Sequence, residues 1–194
     1  PALSRSGYGE QTRFALRSLR EYEERFDIYL INTGWGQTSW LADDDEERKW
    51  FDHLMHKTVL ANQAPNPAYD ISIQVTIPNE WESLAQENIG FTAGIECSKI
   101  APVWVEKSNM MDKIFVVSNH AKFGFDNTAY EAQNRETGEV IKNYRNHTPV
   151  TVTNFPVRTI APKDVDIDLD SKFNFLVVSQ NGPRKNLSNT IQWF

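Results

Sequence analysis

Five of the six residues from 173 to 178 (FNFLVV) are apolar, and so short and continuous a run suits a strand covered on both faces better than one with a wet face. Such strands belong to parallel sheets flanked by helices, so this run restricts the chain to α/β architectures. The strand is expected to end near Ser179, where Gly182 and Pro183 break regular structure. Leu187, Ile191 and Phe194 then recur at helical spacing, with Asn186 placed to cap the start. At a strand–loop–helix junction the free backbone N–H groups and the positive end of the helix dipole favour an anion, and Arg184 and Lys185 add two cations there. A phosphate is the natural ligand; the alternative is an ordinary solvated turn, since no complete phosphate-loop pattern is present.

The rest of the chain alternates in the same way. A loop in which Gly7 and Gly9 flank Tyr8 leads to a helix with Thr12, Ala15, Leu16, Leu19 and Tyr22 on one face. Residues 27–32 (DIYLIN), 71–76 (ISIQVT), 90–96, 113–117 (KIFVV) and 149–157 read as short strands. Asp43, Asp44 and Asp45 open a helix that turns Trp50, Phe51, Leu54, Thr58 and Ala61 inward, the acidic run complementing its dipole. Pro102 opens another, with Val103, Trp104 and Met110. Residues 131–146 are polar around Thr137-Gly138, which fits an exposed hairpin. The pattern predicts a Rossmann-like α/β fold, whose ligands sit at the carboxyl ends of the strands.

Charge and cysteine usage exclude several classes. A net charge of −6 without clustered cations argues against a nucleic-acid partner. The single cysteine, Cys97, excludes an internal disulfide and fits a reducing compartment. No apolar run reaches bilayer-spanning length and no signal peptide is visible, so a cytoplasmic protein is expected; peripheral membrane association has no readable signature. The sequons at Asn146 and Asn186 are then chance matches.

Several polar and aromatic residues fall where such a fold places its ligands. Asn79 and Glu80 follow the strand at 71–76, and Glu96 follows the next one. A carboxylate there orients an acceptor hydroxyl or acts as a base, or else caps a helix or pairs with a lysine. His120 is positioned either to donate an N–H to a ligand or to begin a helix. Trp35 and Trp40, in a glycine-containing loop, offer faces for sugar rings or cover a core edge. His53 and His56 lack a third ligand and read as a solvated helix face. Asp164, Asp166, Asp168 and Asp170 alternate with apolar residues, which describes an edge strand better than a metal site. No metal site is assigned.

Gly94, Glu96, Pro102, Trp104, Asp112 and Ser118 stand in an order that resembles the end of the acceptor domain of GT-B glycosyltransferases of the group 1 class (family 4). The stretch 173–194 is similar to the opening of their nucleotide-sugar-binding domain. The resemblance implies an acceptor domain over residues 1–157 that lacks its first strand, a linker at 158–171 and the start of the donor domain at 172–194. It implies transfer of a sugar from a nucleotide-sugar donor to a saccharide or other hydroxyl acceptor, with retention and without a metal; the nucleotide sugar is a co-substrate and no cofactor is needed. Lys185 matches the lysine that meets the donor diphosphate. The place of its companion arginine is held by Ser179 or Gln180, with Arg184 as the substitute and Gly182 in the same loop. Gly7 and Gly9 would approach across the cleft, with Glu80, Glu96 and His120 on the catalytic side and Trp35, Trp40 and Asn79 on the acceptor. A chain that begins at Pro1 and stops within a helix is read as an internal piece, inactive alone. Without the first strand it is expected to be marginally stable or to borrow a strand from another copy. The rival is a non-catalytic module of the same fold that holds a glycan or a protein. An epimerase would need a different acid pair.

Overall fold

The computed structural model describes residues 1–65, 67–134, 136–179 and 181–193; Gln180 and Phe194, both singled out above, lie outside the described residues. The chain divides into two units, Pro1–Val157 and Arg158–Phe194.

In the first unit, helices α1 (Gly7–Arg20) and α2 (Glu46–Ala61) precede strands β1 (Ile71–Val75) and β2 (Glu87–Thr92). Helix α3 (Pro102–Ser108), strand β3 (Lys113–Val116) and helix α4 (Asn119–Asn127) follow, then the hairpin β4 (Ala129–Gln133) and β5 (Val140–Arg145), and finally β6 (Val150–Val152). Four strands form one parallel sheet in the order β1-β2-β3-β6. Val75 lies opposite Phe91, Phe91 opposite Phe115, and Val116 opposite Val152, so every carboxyl end emerges at one edge. This is a mixed α/β architecture compatible with a Rossmann-like fold. The hairpin at 131–146 forms as expected, with Gly138 at φ +73° in its turn.

Among the described residues two clusters make the core. Beneath the sheet, Trp81, Trp104 and Phe125 stack, with ring centroids 6.5 Å apart for Trp81–Phe125 and 6.3 Å for Trp104–Phe125. Trp81 reaches this position only because Gly90 has no side chain: a Cβ there would fall 2.6 Å from the indole. Buried Asn88 fixes the turns before β2 and β3. Its Oδ1 accepts the Leu84 and Ala85 N–H groups, while its own N–H donates to Asp112 at 2.7 Å.

The second cluster joins Ala2 and Leu3 to Leu16 of α1, Ile28 and Leu30, and Trp50, Phe51 and Leu54 of α2. Helix α2 starts as predicted, Asp45 accepting the Arg48 N–H at 2.8 Å. Residues 27–32 do not form the expected strand. Ile28 and Leu30 are buried and Ile31 is 60% exposed, the alternation of a strand, yet no ladder partner lies beside them among the described residues. Side chains hold the segment instead: the Leu30 N–H donates to Thr58 Oγ1 at 2.8 Å, and Asn32 Oδ1 accepts the Leu3 N–H at 3.1 Å.

The predicted glycine loop is also corrected. Gly7 and Gly9 lie inside the first turn of α1, whose cap is Ser6 with its hydroxyl accepting the Gly9 N–H at 3.0 Å. Gly9 serves a close approach, since a Cβ would meet the Ser4 carbonyl oxygen at 2.1 Å, whereas nothing lies within 4 Å of one at Gly7.

The second unit contains a 3-10 turn, Pro183–Lys185, and a short helix, α5 (Leu187–Gln192). The buried strand expected at 173–179 is not formed: Phe173 is 75% exposed and Leu176 89%, and no ladder involves them among the described residues. A strand needs neighbours for its N–H and C=O groups as well as an apolar composition. The edge strand expected at 164–170 is likewise not formed: these residues are exposed and belong to no ladder among the described residues.

Candidate functional site

Tyr8 points from the first turn of α1 to the carboxyl end of β2. Its hydroxyl lies 2.8 Å from Thr92 Oγ1 and accepts the Ala93 N–H at 3.2 Å. Thr92 is the last residue of β2, fully buried, and its hydroxyl accepts the Gly94 N–H at 3.3 Å. The Tyr8 ring also meets Trp35, with centroids 4.5 Å apart and planes inclined by 39°. An α1 side chain thereby gathers a loop tryptophan and the end of a central strand at the edge where parallel sheets place their ligands. Burial pushes the Tyr8 phenol up and the Glu80 charge adds to it, outweighing the opposing hydrogen bonds from Thr92 and Ala93. The group stays protonated at neutral pH.

Glu80 lies in the 3-10 turn Pro78–Glu80 beyond β1, exposed, with its carboxylate accepting the Thr76 hydroxyl. It thus flanks the same rim as Tyr8. Asn79 faces elsewhere in part, its Oδ1 accepting the Trp104 indole N–H at 3.2 Å, which gives that side chain a packing role. Glu96 is exposed on the loop after β2, two residues beyond Gly94 at φ +81°. A Cβ at Gly94 would lie 2.5 Å from the Ala121 Cβ, so this loop rests on the first turn of α4. Ser118 caps that helix by accepting the Ala121 N–H at 3.1 Å, and His120 is exposed in the same turn. Glu96 and His120 are therefore carried by two segments in contact at the carboxyl rim.

The two tryptophans part company. Trp35 is half-buried against Tyr8, with its carbonyl accepting the Thr38 hydroxyl at 2.8 Å. Trp40 is 54% exposed and forms an antiparallel bridge with Ser4. Tyr8 and Thr92 were missed as site residues in the sequence. The available signal was a tyrosine in the turn after a serine cap and a threonine closing an apolar strand, and neither is distinctive alone.

In the second unit Arg184 and Lys185 are exposed on the 3-10 turn, beside a shallow groove lined by Asn181, Gly182, Pro183, Asn186, Leu187 and Ser188. Asn186 does begin α5, but at φ 48° and ψ 43° and without a side-chain cap hydrogen bond. That left-handed backbone suits asparagine but not the extended geometry of a side-chain cap. Helix α5 spans six residues, so the helix-dipole contribution to anion binding expected there is weaker than in a long helix. Ser179 is exposed.

Among the described residues no three His, Cys, Asp or Glu side chains are grouped to hold a metal, and no helix is long and apolar enough to cross a membrane. Comparison of the chain with protein-family models, curated proteins and solved structures finds no match.

Proposed function

We propose that the chain carries the acceptor side of a GT-B-type glycosyltransferase, which moves a sugar from a nucleotide-sugar donor to a hydroxyl acceptor with retention and without a catalytic metal. The observation that carries this reading is the rim at Tyr8, Trp35 and Thr92, where an aromatic face lies at the carboxyl end of a parallel strand, tied there by the Tyr8–Thr92 hydroxyl pair. Sugars bind with C–H faces on aromatic rings and hydroxyls on polar groups. Glu80, Glu96 and His120 supply groups that orient or deprotonate the acceptor hydroxyl. Lys185 and Arg184 neutralise the donor diphosphate.

Calorimetric titration of the chain with UDP-glucose, GDP-mannose and the corresponding nucleoside diphosphates tests the reading. Binding is expected to weaken about tenfold in Lys185→Ala, the effect of losing one charge-assisted hydrogen bond. Donor affinity unchanged by that substitution removes Lys185 from the site. A second reading, a glycan-holding module without transfer, is favoured by Ser179 and Gln180 at the place of the companion arginine. Saccharide binding in a chain that binds no nucleotide sugar selects it.

A further inference from the structure

We propose that Tyr8 is a positioning residue that sets the orientation of Trp35 as the stacking face for the ring of a neutral saccharide acceptor. This rests on the glycosyltransferase reading above and assigns the acceptor class to the same rim.

Tyr8 is held at both ends. Its hydroxyl is fixed by Thr92 Oγ1 at 2.8 Å and the Ala93 N–H at 3.2 Å. Thr92 is 0% exposed and sits in ladder register with Val116, so this anchor belongs to the rigid sheet. A phenol anchored at its oxygen and carried on a capped helix has no free torsion left. Its ring then presents a fixed surface to Trp35 at a centroid distance of 4.5 Å. The Trp35 loop needs such an anchor: Gly34 and Gly36 flank the tryptophan, are exposed, and have nothing within 4 Å of an added Cβ. Its polar ties lead away from the sheet, through Thr38 to Ser4 Oγ at 2.6 Å.

The surrounding chemistry selects the ligand. The Tyr8 and Thr92 hydroxyls are taken up by each other, and it is Glu80, exposed and accepting the Thr76 hydroxyl, that brings a hydrogen-bond acceptor to the end of β1. An indole edged by a carboxylate suits a pyranose, whose C–H face stacks while its hydroxyls hydrogen-bond. The Glu80 charge disfavours an anionic group at this point, so the acceptor portion held here is uncharged.

The experiment uses the full 194-residue chain labelled with 5-fluorotryptophan, in which Trp35→Phe identifies one of six resonances. Methyl glucoside, methyl galactoside and methyl mannoside are titrated in turn. At least one is expected to shift the Trp35 resonance saturably while leaving that of Trp40 in place. Tyr8→Phe keeps the ring and loses the tether; it should move the Trp35 resonance before any sugar is added and weaken binding about fivefold. The melting temperature should change by only about 2–4 °C. Thr92→Val should do the same and Thr92→Ser should restore both signals. Equal affinity in wild type and Tyr8→Phe, or failure of Thr92→Ser to restore it, overturns the positioning role while leaving the acceptor site standing. No shift with any of the three glycosides in wild type overturns the acceptor reading and the proposal with it.

Discussion

Gly9 and Gly7 lie two residues apart in one turn of α1, yet they should respond to the same substitution in opposite ways. An alanine methyl at position 9 would sit 2.1 Å from the Ser4 carbonyl oxygen and 3.0 Å from that of Pro1. Neither oxygen can swing aside as a side-chain end would. The Ser4 carbonyl is also held at 2.9 Å by Arg13 Nη1, which binds the Ala2 carbonyl at 2.6 Å, and Arg13 itself is only 6% exposed. Relief therefore requires α1 to move off the segment at residues 1–4, taking Arg13 with it. Overpacking of this kind costs about 1–3 kcal/mol, and loosening a hydrogen bond to a buried guanidinium adds about 1.5–3 kcal/mol. Helix propensity opposes this, alanine being better than glycine by about 1 kcal/mol.

The balance for Gly9→Ala is a loss of about 2–4 kcal/mol, or roughly 5–15 °C in melting temperature for a chain of this size. Gly7→Ala meets nothing within 4 Å and should raise stability, by up to about 1 kcal/mol from helix propensity alone. Thermal melts and urea titrations followed by circular dichroism measure both. Equal melting of Gly9→Ala and wild type would refute the close-approach argument and return Gly9 to the ligand-facing role expected from the sequence. A stable Gly7→Ala is useful in itself, because altered ligand binding in it reports the site and not the fold.

Gly90→Ala should destabilise by about 1–3 kcal/mol, because its methyl would meet the fully buried Trp81 ring; a melt that does not move would show that the stacked cluster yields easily. Asp45→Ala removes the cap of α2 and should cost about 0.5–2 kcal/mol in urea titration. Burial opposes ionisation of Glu10, but hydrogen bonds and charges from Arg13 and Arg17 together hold its carboxyl below the usual glutamate range. Its contribution is thus fully present above that range and lost as the pH falls through the lowered value, so the stability gap between wild type and Glu10→Gln should close on acidification. A gap that persists at acid pH would show that packing, not charge, sets the effect. Amide hydrogen exchange should be slow at Ile114 and Val116, which are buried in the sheet, and fast at the exposed Leu176 and Val178.

The elements that were legible share one property: their partners are encoded nearby. The hairpin β4–β5, the acid-capped α2 and the strands β1 and β3 form close to where the pattern places them, since turn chemistry, a cap or a repeated strand–helix alternation specifies each locally. Residues 27–32 were legible as buried alternation but not as unladdered, because periodicity reports which side chains face the core and says nothing of which backbone lies alongside. The candidate site was half legible. Glu80 and Glu96 follow strands as their sequence positions imply, whereas Tyr8 becomes a rim residue only through a hydrogen bond to Thr92, 84 positions away.

Position in the fold also explains why two similar tryptophans differ. Trp35 and Trp40 come from one glycine-containing loop, and aromatic composition alone leaves both open to a sugar or to a core edge. The backbone at 39–41 pairs with residues 3–5, Arg5 N–H donating to Ser39 and Leu41 N–H to Leu3, each at 2.8 Å. That pairing commits Trp40 to the N-terminal segment. Trp35, on the stretch between Gly34 and Gly36, lacks such backbone pairing to residues 3–5 and instead meets Tyr8. An aromatic residue serves recognition only when something other than its own backbone fixes its face. The rigid end of β2, acting through Tyr8, does this for Trp35, and so the sheet rather than the loop dictates where a sugar would stack.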